Sequence, residues 1–125
     1  MYYSFEDLEV WKRATRLAVR IYEVLKHCRD FGLKDQMTRS AISIASNIAE
    51  GAERGSVAEF IRFLHISKGS AAELRTQIYI AADLKILTSN LEKELIEELK
   101  TLSKQLQSLI NSLKKPKIQP LKPKT

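Results

Sequence analysis

The stretch RSAISIASNIAEGAERGS, residues 39–56, decides the fold. Apolar residues recur within it and just before it at intervals of three and four, which places them on one face of a helix. They are Met37, Ala41, Ile44, Ala45, Ile48 and Ala52. The spacing therefore predicts an amphipathic helix over about residues 35–52, with this face buried.

A second row of compact side chains lies beside the apolar face, at Ser40, Asn47 and Gly51. Small residues let another helix approach closely, so we expect a neighbour on this side as well. Gly51 and Gly55 end the helix, and Ser56 followed by Glu59 is the capping-box pattern of a new helix. The chain is therefore predicted to reverse direction within a few residues.

Helical patterns continue on both sides of this stretch. They predict helices over about residues 7–27, 57–87 and 91–114, joined by short connections. The last of these carries leucines at heptad spacing. They are Leu91, Leu95, Leu99, Leu102, Leu106, Leu109 and Leu113. Ser89 with Glu92 predicts a capping box at the start of this helix, and Gly32 is expected to supply a positive φ at the exit of the first helix. Helical spacing also places Tyr22 on the core face of the first helix and Val57 on that of the third. Four amphipathic helices with short turns predict an all-α, antiparallel up-down-up-down four-helix bundle over residues 1–115.

The third predicted helix has more apolar surface than one bundle needs. Besides its core row it carries a second row, at Ile66, Ile80, Leu84 and Leu87. A helix that faces one core normally needs an apolar arc of only about 100°. We therefore predict that this second row is an oligomer interface.

Charge is distributed unevenly in this basic chain. The net charge is +6, from 21 basic and 15 acidic residues. Five lysines lie at the C-terminal end, without any acidic residue: Lys114, Lys115, Lys117, Lys122 and Lys124. Residues 116–125, PKIQPLKPKT, also contain three prolines and are predicted to be a disordered tail. The other 16 basic residues are nearly balanced by the 15 acidic ones.

Within the body of the chain, the first predicted helix is the most basic. Its face opposite the core carries Lys12, Arg13, Arg16 and Arg20. Two interpretations of this stripe remain open: an ordinary solvated face, or a surface that binds nucleic-acid phosphates. The lysine-rich tail is a further candidate for phosphate binding.

The sequence contains no recognisable catalytic or metal-binding pattern. It has two histidines and one cysteine, too few to suggest a converging ligand set, and no Gly-rich phosphate loop. We therefore predict no enzymatic activity, no cofactor and no metal.

No apolar run is long enough to span a membrane, the N-terminus does not resemble a signal peptide, and the single Cys28 suits a reducing compartment. A cytoplasmic location is predicted.

The polar residues of the central stretch are candidates for a structural motif. They are Ser40, Asn47, Glu50, Gly51, Arg54, Ser56 and Glu59. Asn47, Glu50 and Arg54 fit either of two roles: satisfying helix ends and interhelical hydrogen bonds, or contributing to a shared site.

Many of these residues also match, in order, a pattern known from one family. The matching positions are Phe5, Leu8, Val10, Trp11, Ala14, Ile21, Tyr22, Gly32, Leu33, Gln36, Arg39, Ser40, Ala41, Ser43, Ile44, Asn47, Ile48, Ala49, Glu50, Gly51, Arg54, Ser56, Glu59, Phe60, Phe63, Leu64, Gly69, Ser70, Glu73 and Leu74. In them the chain resembles the bacterial four-helix-bundle family first found inside intervening sequences of large-subunit ribosomal RNA genes. It departs from the pattern at Ala45, where the family often has proline, so a straighter second helix is expected.

The resemblance implies an architecture more than an activity. Members of the family look like four-helix bundles that assemble into homopentameric rings. A relative, the accessory variability determinant of diversity-generating retroelements, works with a reverse transcriptase and its RNA. Our favoured prediction is a nucleic-acid-associated adaptor, with RNA favoured over DNA, that uses the basic stripe and the lysine tail. The alternative is a protein scaffold for a partner enzyme such as a reverse transcriptase, without direct nucleic-acid binding.

Overall fold

A computed structural model describes residues 4–115, which form a short 3₁₀ turn and four α-helices, without any strand. The turn spans Phe5–Asp7, followed by α1 (Glu9–Val24), α2 (Phe31–Glu53), α3 (Val57–Asp83) and α4 (Ser89–Lys114). The prediction of an all-α chain with four helices is confirmed. Residues 116–125, predicted to be a tail, lie outside the described residues.

The chain reaches α1 through the 3₁₀ turn. Ser4 caps this turn, its hydroxyl accepting from the Glu6 N–H at 3.2 Å, and Leu8 is extended between the turn and α1. The Phe5 ring meets the Trp11 ring edge-on, with centroids 5.2 Å apart and planes at 67°. This contact packs the 3₁₀ turn against the first turn of α1.

The first helix ends at Val24, earlier than the predicted boundary at residue 27. Lys26 donates to the Glu23 carbonyl at 3.3 Å, and Cys28 donates to the Leu25 carbonyl at 2.9 Å. Each bond joins an N–H to the carbonyl three residues earlier, as in a 3₁₀ turn, and so tightens the chain where α1 ends.

The second helix begins earlier than predicted, at Phe31. The Asp30 carboxylate accepts from the Leu33 N–H at 3.1 Å, so Asp30 is the N-cap. Gly32 lies in the first helical turn, and the expectation that it supplies a positive φ at a helix exit is wrong. α2 then runs unbroken through Ala45, where the family pattern often has proline.

The reversal between α2 and α3 follows the prediction more closely. Gly55 has φ of 82°, a value that glycine adopts without strain. The Ser56 hydroxyl accepts from the Glu59 N–H at 3.1 Å and caps α3. The Glu59 carboxylate binds Arg62 through two hydrogen bonds of 3.1 Å instead of completing a capping box.

The third helix ends at Asp83 rather than near residue 87. Lys85 adopts φ of 65°, and its N–H donates to the Ala82 carbonyl at 3.0 Å, while the Ile86 N–H donates to the Ala81 carbonyl at 2.8 Å. This is a Schellman motif with lysine where glycine is usual, so no stop signal is visible in the sequence.

The fourth helix is capped by Thr88, whose hydroxyl accepts from the Leu91 N–H at 3.1 Å. The predicted capping role of Ser89 with Glu92 is therefore displaced by one residue, and Ser89 is the first residue of α4. The helix begins slightly before the predicted position at residue 91.

The core takes one face from each helix. From α2 it includes five of the predicted residues, Met37, Ala41, Ile44, Ala45 and Ile48, with Ala52 half-buried. From α4 it includes Leu95, Leu99, Leu102 and Leu106, with Leu91, Leu109 and Leu113 packed at its margin. Tyr22 and Val57, both expected in the core, are instead about half exposed, at 48% and 52%.

The helices follow one another around this core: α2 packs on α1 and α3, and α4 packs on α3 and α1. In two of these contacts, between α1 and α4 and between α2 and α3, paired residues run in opposite order along the two helices. The pairs are Arg13 with Glu98 and Arg20 with Glu94 between α1 and α4, and Ser40 with Glu73 and Ile44 with Ser67 between α2 and α3. Within the described residues, none of the four helices is long and apolar enough to cross a bilayer.

Candidate self-association and nucleic-acid surfaces

The predicted basic stripe of α1 is largely engaged in ion pairs. Arg13 donates two hydrogen bonds from one guanidinium nitrogen to the Glu98 carboxylate on α4, at 2.9 and 3.0 Å. Arg20 pairs with Glu94, also on α4, and Lys12 pairs with Glu9 at 3.6 Å. Because these charges are already balanced locally, they offer phosphates less than the sequence suggested.

Arg16 is the exception in this stripe. It is exposed and makes no ion pair with any residue between 4 and 115. The pairing of Arg13 and Arg20 had a sequence signal on α4. Glu94 and Glu98 are four residues apart, so they share a helix face that an adjacent antiparallel helix can contact.

Of the five tail lysines, Lys114 and Lys115 are within the described residues, and both are exposed at the end of α4. Lys117, Lys122 and Lys124 lie outside the described residues. The C-terminal group of five lysines therefore contributes two described side chains, both exposed to solvent.

The predicted interface row on α3 is mostly exposed. Ile66, Ile80 and Leu84 have 40%, 46% and 58% of their surface accessible, and we call these three residues the α3 row. Leu87 does not belong to it: it is 97% buried in the core, since the chain has left the helix before reaching it. The expectation that Leu87 faces another subunit is wrong.

A second exposed apolar surface lies between α1 and α2. We call it the α1–α2 groove, and it is lined chiefly by Phe5, Trp11, Ala18, Ile42, Ala45 and Ala49. Tyr22 continues the same face of α1 one turn beyond Ala18 and lies close enough to Arg39 to interact with it electrostatically. Sequence reasoning missed this groove because it placed Tyr22 in the core.

Small side chains bring α2 and α3 into close contact. A Cβ atom added at Gly51 would lie 2.6 Å from the Phe63 Cβ, a distance that packed carbon atoms do not reach. The Ser67 hydroxyl donates to the Ile44 carbonyl at 2.8 Å, and the Ser43 and Ser70 hydroxyls are 2.8 Å apart. The expectation of a close neighbour on this side of α2 agrees with these distances.

The remaining polar residues of the central stretch make mainly local bonds. Asn47 donates to the Ser43 carbonyl at 2.8 Å, within the same helix. Arg54 pairs with Glu50 at 2.9 Å and reaches Glu59 at 3.7 Å across the turn.

A second basic residue, Arg62, packs at the same turn between α2 and α3. The guanidinium groups of Arg54 and Arg62 lie 4.8 and 4.6 Å from the centroid of Phe63. The hydrogen bonds from Arg62 lower the pKa of the Glu59 carboxyl. These contacts stabilise the reversal between α2 and α3.

A polar notch opens between α2 and α3. We use this name for a depression of about 340 Å³ lined by Gln36, Arg39, Ser40, Ser43, Glu73 and Gln77. The Ser40 hydroxyl donates to Glu73 at 3.1 Å, and Arg39 pairs with Asp35 at 2.9 Å. Gln77 is only 8% exposed, yet its side-chain oxygen has no hydrogen-bond partner.

Among residues 4–115, no three metal-ligating side chains come together.

The architecture and these surfaces define the class as a small, all-α, four-helix protein. Residues 6–108 match the model of the 23S rRNA-intervening sequence protein family. The chain belongs to this family, and the resemblance stated from its sequence is confirmed.

One solved structure extends this comparison. It is a crystal structure of a protein of unknown function from the S23 ribosomal protein family, from Bacteroides thetaiotaomicron VPI-5482. Its TM-score is 0.76 at 25% sequence identity, and the match covers 82% of this chain and 95% of that chain. No curated protein matches the chain.

Proposed function

We propose that the protein is a non-enzymatic, cytoplasmic scaffold: an up-down-up-down bundle that assembles with further copies of itself into a ring of five. The observation that carries this proposal is the pair of exposed apolar surfaces, the α3 row and the α1–α2 groove. Exposed apolar side chains gathered on one face in this way are characteristic of an interaction site.

The positions of the two surfaces favour a ring over a dimer. They differ in shape and composition, so the contact between two copies would join unlike faces and leave one of each free. Both surfaces flank α2, so they lie on neighbouring sides of the bundle rather than on opposite sides. Repeated addition therefore turns the assembly, which is the condition that a closed ring requires. The number five comes from the family resemblance.

Size-exclusion chromatography with light scattering tests the assembly. The wild-type chain is expected to show one species of pentamer mass at micromolar concentration. Replacing Ile66 and Ile80 by serine should shift this species toward the monomer while the helical circular-dichroism signal remains. His65→Ser, a change at an exposed polar position of the same helix, is the matched control. A monomer mass for the wild-type chain would refute self-assembly.

Nucleic-acid association is a second candidate function, and exposed Arg16, Lys114 and Lys115 favour it. A ring would repeat these contacts around its circumference, so that weak single contacts add through multivalency. This candidate ranks below self-assembly, in contrast to the order favoured from sequence, because Arg13 and Arg20 are paired with α4 carboxylates.

Fluorescence polarisation with a short labelled RNA, at two salt concentrations, tests this second function. Binding is expected to weaken by roughly a thousandfold between about 50 and 200 mM salt if six or more phosphates are contacted. Arg16→Gln should weaken binding, and so should truncation after Leu113, without lowering the melting temperature. Ser112→Gln serves as the control. An assembled protein without salt-sensitive binding would leave the scaffold as the function, with a nucleic-acid-processing enzyme as the partner to seek.

A further inference from the structure

The notch between α2 and α3 holds a buried hydrogen-bonding group that the isolated chain does not satisfy. Gln77 is more than nine-tenths buried, and its Oε1 atom has no partner. Beside it, Glu73 accepts one hydrogen bond, from Ser40. Buried polar groups in folded proteins are normally paired. Three exceptions occur among residues 4–115, at Arg75, Gln77 and Gln105, and Gln77 is the one that shares a helix face with the exposed apolar residues of α3.

The notch also lies within the exposed apolar surface of α3. Spacings of three, four and seven place Glu73 and Gln77 on the same helix face as Ile66, Ile80 and Leu84. The α3 row thus brackets the notch along the helix. A partner that covers the row would cover the notch as well, and would bury Gln77 completely.

The required partner is therefore an apolar surface that carries a hydrogen-bonding group. The α1–α2 groove of a second copy has this composition, because its apolar lining includes Ala18, and Tyr22 stands exposed one helical turn beyond Ala18 on the same face of α1. A tyrosine ring adds apolar contact while its hydroxyl both donates and accepts, so it suits either orientation of the Gln77 amide.

Charge favours the same pairing. Glu73 gives the notch a carboxylate that forms no ion pair with residues 4–115. Around Tyr22, α1 and the turn after it carry Lys26 and Arg29 against Glu23, while Arg20 is already paired with Glu94. The basic end of one copy thus complements the acidic notch of the next.

We propose that a second copy of the chain completes the notch, with its Tyr22 hydroxyl hydrogen-bonded to Gln77 and its α1–α2 groove covering Ile66 and Ile80. The inference rests on the self-assembly proposed above and names the contact that fixes its register. A buried polar pair inside an apolar interface disfavours sliding of one surface along the other, because any other register leaves both groups unpaired.

Dilution measurements on the full chain test the contact. Tyr22→Phe removes only the hydroxyl, and Gln77→Leu removes the amide at similar volume. Each is expected to raise the dissociation constant of the contact between two copies by about tenfold, which is the loss typical of one buried hydrogen bond. The double variant should weaken it no more than one single variant does, because either change alone breaks the pair.

Gln105→Leu is the matched control. Gln105 also has a side-chain oxygen that is buried without a partner, but it lies between the start of α1 and α4, away from both surfaces. Its replacement should leave assembly unchanged. Circular dichroism checks that every variant folds, and Gln77→Leu should melt no lower than the wild-type chain when both are monomeric.

The outcomes separate this inference from the proposed function. If Ile66→Ser with Ile80→Ser dissociates the assembly while Tyr22→Phe and Gln77→Leu do not, self-assembly stands and the notch contact is refuted. Additive effects of Tyr22→Phe and Gln77→Leu would show that the two residues do not meet. A monomeric wild-type chain would overturn both proposals.

Discussion

The contacts between α2 and α3 and those between α1 and α4 hold neighbouring helices together by different means. Between α2 and α3, small residues allow close approach, with Gly51 against Phe63 and Ser67 bonded to the Ile44 carbonyl. Between α1 and α4, long charged side chains reach across the margin, from Arg13 to Glu98 and from Arg20 to Glu94.

This difference separates shape from charge as sources of specificity. The α2–α3 contact depends on residues whose side chains cannot be enlarged without a clash, and its contribution to stability should be insensitive to salt. The α1–α4 contact relies on partly exposed ion pairs above its leucine core, so it should tolerate substitution and respond to salt. The following substitutions test this contrast.

The largest effect is expected in the core that both contacts share. Ile48→Asp places a carboxylate where Ile48 is completely buried. An unpaired charge there costs several kcal/mol, comparable to a whole domain stability of about 5–15 kcal/mol. Loss of the helical circular-dichroism signal is expected, whereas Ser46→Asp, on the exposed side of α2, should fold. Unchanged melting of Ile48→Asp would mean that this side of α2 faces water.

Gly51→Ala tests the close approach of α2 and α3. The added Cβ would meet the Phe63 Cβ at 2.6 Å and the Phe60 carbonyl oxygen at 3.3 Å. We expect a loss of about 1–3 kcal/mol of unfolding free energy in urea melts. Gly69 in α3 has no atom within 4 Å of such a Cβ, so Gly69→Ala should instead stabilise by about 0.5–1 kcal/mol. Equal effects of the two changes would contradict the role given to Gly51.

Ser67→Ala removes one hydrogen bond from the same contact. The Ser67 hydroxyl is fully buried against the Ile44 carbonyl, so the unfolding free energy should fall by about 1 kcal/mol. Ser112→Ala, on the exposed side of α4, should change it little. If the loss at Ser67 disappeared at high salt, the distinction drawn between the two contacts would fail.

Arg13→Gln tests the charged contact and should have the smallest effect. The Arg13 and Glu98 side chains are 30% and 37% exposed, so the pair should contribute at most about 1 kcal/mol. Thermal melts at low and high salt should converge for wild type and variant as screening increases. Arg16→Gln, at an unpaired position, should not show this convergence, and a salt-independent loss at Arg13 would indicate packing instead.

The regular parts of the fold were predictable from sequence because periodicity reports burial directly. The Met37-to-Ile48 face of α2 and the leucines of α4 lie in the core as their spacing indicated. Helix ends were harder. Lys85 ends α3 in a conformation usually given to glycine, and Asp30 caps α2 although Gly32 looked like the turn. Local sequence patterns do not show where these helices begin and end, because contacts with neighbouring parts of the chain decide it.

The surfaces were less predictable than the helices, because they depend on which helices become neighbours. The basic stripe of α1 was visible in sequence, but its pairing with Glu94 and Glu98 requires α1 to lie beside α4. Similarly, Tyr22 and Leu87 exchange their expected places: Tyr22 is exposed and Leu87 is buried. At Leu87 the cause is the end of α3 at Asp83, about four residues before the predicted boundary.

The edge-on contact of Phe5 with Trp11 gives the protein a built-in optical reporter. Trp11 is the only tryptophan in the chain, and it lines the α1–α2 groove. Its emission therefore comes from one known place, where a docked second copy would exclude water. Assembly should move the emission maximum to shorter wavelength, and Phe5→Ala should alter the spectrum of the monomer as well. Concentration-dependent fluorescence can thus follow assembly without any attached label.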